Sequence, residues 1–157
     1  NLDRTDFQSN RHTIDVNITG FLAMAETALS FFEKQKHGHL VGISSIDGLR
    51  GNAENPVYSG TKAFISRYLE GIRNKMIQSK IPIYVTDIIP GWVEIEACDI
   101  HKIKAAYWIA TTQQAAQQIC DAIKAKKKIA YITKRWQLIA WLYAITPDFI
   151  YNSLGGF

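Results

Sequence analysis

Residues 40–62 read LVGISSIDGLRGNAENPVYSGTK. The apolar run Leu40-Val41-Gly42-Ile43 ends in Ser44 and Ser45, which reads as a strand with hydroxyls at its carboxyl end. A polar loop through Gly48, Gly51 and Asn55 follows, and Pro56 introduces a helix. Tyr58 and Lys62 stand four residues apart on that helix, so they share a face. A free phenol, with a pKa near about 10, is too weak an acid to serve as a base at neutral pH. A neighbouring ammonium favours the phenolate and lowers that value. Tyr58 is therefore the candidate general acid/base, Lys62 its tuner, and Ser45 the group that holds the substrate oxygen.

Working outward, the helix from Pro56 to about Lys80 carries an apolar stripe of Phe64, Ile65, Tyr68, Leu69, Ile72 and Met76. Pro82 opens the strand Ile83–Ile89, which Pro90-Gly91 ends. This run and the one ending at Ser44 are almost continuously apolar, as expected of parallel strands buried on both faces. Thr111-Thr112-Gln113-Gln114 has the form of a capping box. The helix after it is expected to face Ala115, Ala116, Ile119, Cys120 and Ile123 inward, with Lys124 to Lys128 complementing its carboxyl end. Ile129–Ile132 is the last expected strand. Upstream, a helix is expected from Asp6 or Ser9 to about Lys34, with Asn17 on it and Gly20 in its interior at a cost of about 1 kcal/mol. The fold class is α/β, a doubly wound parallel sheet in three layers. Ligands of such sheets bind beyond the carboxyl ends of the strands, where Ser45 and Gly91 both fall.

These residues resemble the short-chain dehydrogenase/reductase family. Tyr58-Ser-Gly-Thr-Lys62 matches its Tyr-x-x-x-Lys, and Ser45 lies thirteen residues before the tyrosine, at the family's usual separation. Asn17, in Val16-Asn17-Ile18, resembles the family's helix asparagine, and Pro90-Gly91-Trp92-Val93 its turn after the next strand. The resemblance runs from about Asp6 to Tyr131. It implies a Rossmann-like fold and an NAD- or NADP-dependent oxidoreductase acting on a carbonyl/alcohol pair. Asn17, Ser45, Tyr58 and Lys62 are the implied catalytic residues, with Asn17 helping to hold a water that links the lysine to solvent. Tyr58, Lys62, Pro90, Gly91, Trp92 and Val93 are the implied cofactor contacts. Ile95 stands where the family often has a threonine that bonds the cofactor, which leaves one contact unmatched. Glu94 to Ala110 corresponds to the substrate-covering loop, and the helices ending near Lys34 and Lys80 to the pair that forms a dimer interface in many members. A homodimer or homotetramer is thus expected.

The sequence contains no Gly-x-x-x-Gly-x-Gly and no Asn-Asn-Ala-Gly, the family's cofactor motifs. Residues 1–157 are therefore expected to be the later part of one NAD(P)-binding domain, with a Trp-rich tail from about residue 134. Two other readings stand beside the enzyme: a non-catalytic binding or scaffolding relative, and an inert fragment.

The formal net charge of +4 is small and dispersed, so nucleic-acid binding is not expected. Cys98 and Cys120 have no disulfide or zinc spacing, which fits a reducing, cytoplasmic compartment. No metal site is expected. His37 and His39 read as solvated turn residues, and His12 and His101 as isolated ones. In the tail, basic residues precede Trp136 and Trp141 on an apolar helix interrupted at Pro147. This permits peripheral docking on a membrane surface. The preferred reading is a lid over the substrate site or an oligomer contact.

Overall fold

The computed structural model describes residues 6–94 and 106–153. Three strands, β1 (Gly38–Ile43), β2 (Ile83–Pro90) and β3 (Ile129–Ile132), form a sheet in the order β1-β2-β3. Both pairings are parallel, with Leu40 opposite Val85 and Ile88 opposite Ala130. Parallel neighbours need crossovers, supplied by α3 (Pro56–Gln78) between β1 and β2 and α4 (Thr112–Lys124) between β2 and β3.

The layers follow from the two-residue period of the strands. Leu40, Ile83 and Val85 face Ile65, Leu69 and Met76 of α3 and Ala25 and Leu29 of α2 (Phe21–Gln35). On the opposite side Ile88, Ala130 and Ile132 meet Ala115 and Ala122 of α4. Helices thus cover both faces, and β2 is buried along nearly its whole length, as its apolar run requires. The doubly wound α/β expectation holds.

Several local expectations are corrected. The upstream helix is continuous in direction but not in hydrogen bonding. α1 (Phe7–Ile14) passes through a π turn, Asp15–Gly20, into α2, and Asn17 lies in that turn. The inward stripe of α4 is Ala115, Ile119 and Ala122, at i, i+4 and i+7, whereas Ala116 and Cys120 are exposed. His39 is no solvated turn residue. It lies in β1 with its Nε2 2.7 Å from the Thr86 hydroxyl. Because Thr86 spends its proton on the Lys127 carbonyl, the imidazole is the donor. The capping box is formed, with Gln114 N–H donating to Thr111 Oγ at 3.2 Å and the Gln114 side chain accepting from Thr111 N–H.

The tail forms α5 (Trp136–Ile145) and α6 (Asp148–Ser153). Thr146 between them is extended, the conformation that a following proline imposes. Trp136 and Ala140 pack on Ile46, with Tyr131 and Leu49 beside them. α5 therefore sits over the carboxyl ends of the strands. No helix among the described residues is long and apolar enough to cross a membrane.

Among the described residues β1 pairs only with β2, and Ile43 at its end is 51% exposed. Met24 and Phe31 of α2 are exposed as well. An open, apolar strand edge pairs readily with other chains. The 157 residues produced by themselves are therefore expected to elute as associated species on size-exclusion chromatography. Cooperative unfolding of a clean monomer would contradict this.

Candidate active site

The loop after β1 is short and built from within. The adjacent hydroxyls of Ser44 and Ser45 part ways here. Ser44 is buried and donates to Asp87 Oδ1 at 2.7 Å. Ser45 accepts from Asp47 N–H at 3.2 Å and caps a one-turn 3-10 helix, Ile46–Gly48. Gly48 lets this loop lie directly on α3. A Cβ there would come within 2.8 Å of backbone atoms of Lys62 and Ala63. Ser59 of α3 ties the same loop down, donating to the carbonyls of Asp47 at 2.8 Å and Arg50 at 3.0 Å. At the other end, Asn55 caps α3 by accepting from Tyr58 N–H, and Pro56 occupies the first turn, where its missing N–H costs nothing.

This brings Ser45 close to Tyr58, near enough for its hydroxyl to lower the phenol pKa. Lys62, one turn on, holds its ammonium 5.6 Å from the centre of the Tyr58 ring and donates to the Ile43 carbonyl at 3.1 Å. Asn17 reaches the group through a neighbour and not through Lys62 itself. Its Nδ2 donates to Thr61 Oγ at 3.1 Å, and Thr61 in turn donates to the Tyr58 carbonyl. π turns occur often at functional positions, and this one puts Asn17 beside α3.

The electrostatics correct one expectation. Burial, the largest influence, pushes the Tyr58 phenol above its ordinary pKa; the Ser45 hydrogen bond pulls it down, and the Asp47 carboxylate pushes it up again. Sequence reasoning expected Lys62 to lower it. With its ammonium bound to a strand carbonyl, the cost of burying a phenolate prevails. Burial also lowers the Lys62 pKa, opposed by the charge of Asp87.

Pro90–Val93 lies at the neighbouring strand end. Gly91 N–H donates to the Ile132 carbonyl at 2.6 Å, and Val93 bridges to Ala110. A Cβ on Gly91 would meet the Trp136 ring at 2.1 Å, so glycine is required where the turn passes under α5. Residues 95–105, which include Ile95, Cys98 and His101 and most of the expected substrate loop, lie outside the described residues.

Sequence reasoning missed three features. Asp87, 1% exposed within β2, accepts from Ser44 and Ser66 and lies near Arg73. Burial pushes its carboxyl above the usual range, while the two serine bonds pull it down. A carboxylate inside an apolar run was the available signal, since such a group must find partners. Arg50 is the second feature: it donates to the carbonyls of Tyr143 at 3.2 Å and Thr146 at 2.5 Å, pairs with Asp148, and lies 4.2 Å over the Tyr151 ring. It caps a helix, α5, that has no basic residue of its own in its last turn. No local pattern foretold it, because its partners lie more than 90 residues away. The third is a cavity of about 420 Å³ next to Ser45, lined by Ile46, Asp47 and the tail.

A parallel sheet with helices on both faces, with Ser45, Tyr58 and Lys62 gathered at one strand's carboxyl end, is a Rossmann-like α/β architecture. The pattern of the short chain dehydrogenases matches residues 1–102, and the chain belongs to that family. An uncharacterized oxidoreductase of Myxococcus xanthus (strain DK1622) is 38% identical over 96 residues, 61% of this chain and 37% of the relative. The matched stretch thus spans well under half the length of this curated relative. A short chain dehydrogenase from Burkholderia cenocepacia J2315, solved in complex with NADP, superposes with a TM-score of 0.79 at 22% identity, over 98% of this chain and 64% of that one. Serine dehydrogenase from Escherichia coli is 30% identical, with a TM-score of 0.55, over 58% of this chain and 41% of that one.

Proposed function

We propose that residues 1–157 are the catalytic, later part of a single NAD(P)-binding domain, and that the whole protein interconverts a carbonyl compound and its alcohol. One observation carries the proposal: the Lys62 ammonium lies 5.6 Å over the Tyr58 ring at the carboxyl end of β1, where Ser45 caps the following turn. The residues present fit a nicotinamide nucleotide, because a phenol and an ammonium at a strand's carboxyl end suit the hydroxyls of a ribose. Tyr58, Lys62 and the Pro90–Val93 turn would hold it. When bound, it gives or takes up the hydride. Ser45 Oγ positions the substrate oxygen, and Tyr58 Oη passes it a proton or removes one. Lys62 neutralises charge developing on the phenol, and Asn17 steadies α3 at Thr61. NAD and NADP both remain in the proposal; NADPH is tried first because the Burkholderia cenocepacia neighbour was solved with NADP. The proposal extends to a homodimer or homotetramer through α2 and α3 and to a cytoplasmic setting. It reads the tail as a wall of the substrate site.

The raised phenol pKa gives the test a sign. Reduction uses the protonated phenol, so kcat/KM for a ketone is expected to stay level through neutral pH. It then falls only as pH rises beyond the ordinary phenol value. Oxidation of the alcohol uses the phenolate and is expected to climb over the same alkaline interval. Full-length protein assayed in both directions against a carbonyl panel checks both limbs. A reduction limb already falling near pH 7 would contradict a phenol whose pKa is raised by burial.

A further inference from the structure

The cavity beside Ser45 has a chemistry of its own. Trp92, Trp108, Trp136, Ile139 and Leu142 make its walls apolar and largely aromatic. Its volume of about 420 Å³ falls within the roughly 300–1,000 Å³ of sites that enclose drug-sized ligands. A substrate of three or four carbons would leave most of those walls wetted.

The walls are held together by their own contacts. The Trp136 indole donates to the Trp108 carbonyl at 3.1 Å, and its ring packs at 5.6 Å on Trp92 and 5.5 Å on Trp108. The α5–α6 corner is held to the loop after β1 by Arg50 and by Tyr151, whose hydroxyl donates to the Gly51 carbonyl at 3.0 Å. Tyr143 and Tyr151 meet edge to face at 5.7 Å.

Charge narrows the choice further. Asp47 lines the cavity two residues after Ser45, and its backbone N–H donates to the Ser45 hydroxyl at 3.2 Å. It therefore marks the end of the cavity nearest the proton-transfer group. None of the described lining residues is cationic. Arg50 does not line the cavity, and its guanidinium is committed to two carbonyls, Asp148 and the Tyr151 ring. Among the described residues, a carboxylate or phosphate on the substrate would be desolvated against indoles with a like charge at one end and no cationic partner.

We propose that this cavity selects bulky, apolar, uncharged carbonyl compounds, or the matching alcohols, and excludes small and anionic ones. The proposal rests on the oxidoreductase reading for its chemistry but not for its binding. Two measurements on the full-length protein separate them. Calorimetric titration with 2-acetylnaphthalene, with 6-acetyl-2-naphthoate of the same skeleton, and with butanone reads binding alone. Turnover of the same three with NADPH reads chemistry. The neutral naphthyl ketone is expected to lead the other two by at least about tenfold in both affinity and kcat/KM. Ile139→Trp and Leu142→Trp, which fill the cavity from two positions on α5, should each lower the ratio of naphthyl ketone to butanone by about tenfold. Asp47→Asn should narrow the gap between the ketone and the naphthoate. Selective binding without turnover would uphold the cavity's selectivity and defeat the oxidoreductase reading. Turnover with equal preference for all three compounds would do the reverse. Unchanged binding of the naphthyl ketone in both tryptophan variants would also overturn the proposal.

Discussion

Tyr58→Phe in the full-length protein is expected to lower turnover by about 10²–10⁴-fold, the contribution typical of a positioned acid/base. The change removes one oxygen and leaves the ring. That ring lies on the first turn of α3, where Asn55 and Pro56 set the backbone without help from the hydroxyl. Folding and the position of Lys62 should therefore persist. The Lys62–Ile43 bond does not involve Tyr58, so the ammonium stays at the end of β1. Nucleotide affinity, followed by fluorescence titration with NADPH, should change little, while single-turnover reduction of a ketone slows by the stated factor. This separation is what distinguishes a proton donor from a residue that merely shapes the site. Loss of nucleotide binding together with activity would favour the structural role. Turnover close to wild type would remove Tyr58 from the chemistry altogether.

Leu69→Ala should be among the most damaging single changes to stability, at about 2–5 kcal/mol. Leu69 is 0% exposed, on the face of α3 that packs against β1, β2 and α2. The two helices and the strands meet around this side chain, so its surroundings cannot all collapse inward to fill the space. The transfer term for burying a leucine, about 1.5–3 kcal/mol, is lost first, and the cavity term adds to it. The denaturant midpoint of the full-length protein measures the loss. Ala116→Ser, on the exposed side of α4, is the matched control and should stay within about 0.5 kcal/mol. A loss below about 1 kcal/mol for Leu69→Ala would mean that this junction is loosely packed. Because α3 also carries Tyr58 and Lys62, a destabilised α3 should lose activity at lower temperature than it loses helix content.

Much of the fold was legible in the chain because its signals are local. Continuous apolar runs announced β1 and β2, Thr111 and Gln114 announced the start of α4, and the stripe from Phe64 to Met76 announced α3. The spacing of Tyr58 and Lys62 needed only the helical period, which the structure retains. Phase errors of a single residue were the usual failure. Cys120 and Ala116 were placed inward although Ala122 holds the core, because an alanine-rich helix offers several near-equivalent stripes. The π turn at Asn17 left no mark, since one extra residue per turn is accommodated without any special residue type.

What the sequence determined by itself is the set of elements, their parallel α/β order, and the serine, tyrosine and lysine in reach of one strand end. Those properties depend on periodicity and on spacing within about twenty residues. Only the tertiary structure decided that Ser44 turns inward to Asp87, that burial raises the phenol pKa despite Lys62, and that Arg50 anchors a tail more than 90 residues away to wall a cavity. Each of these depends on desolvation or on contacts between segments far apart in the chain. Such quantities have no value until the chain has closed on itself.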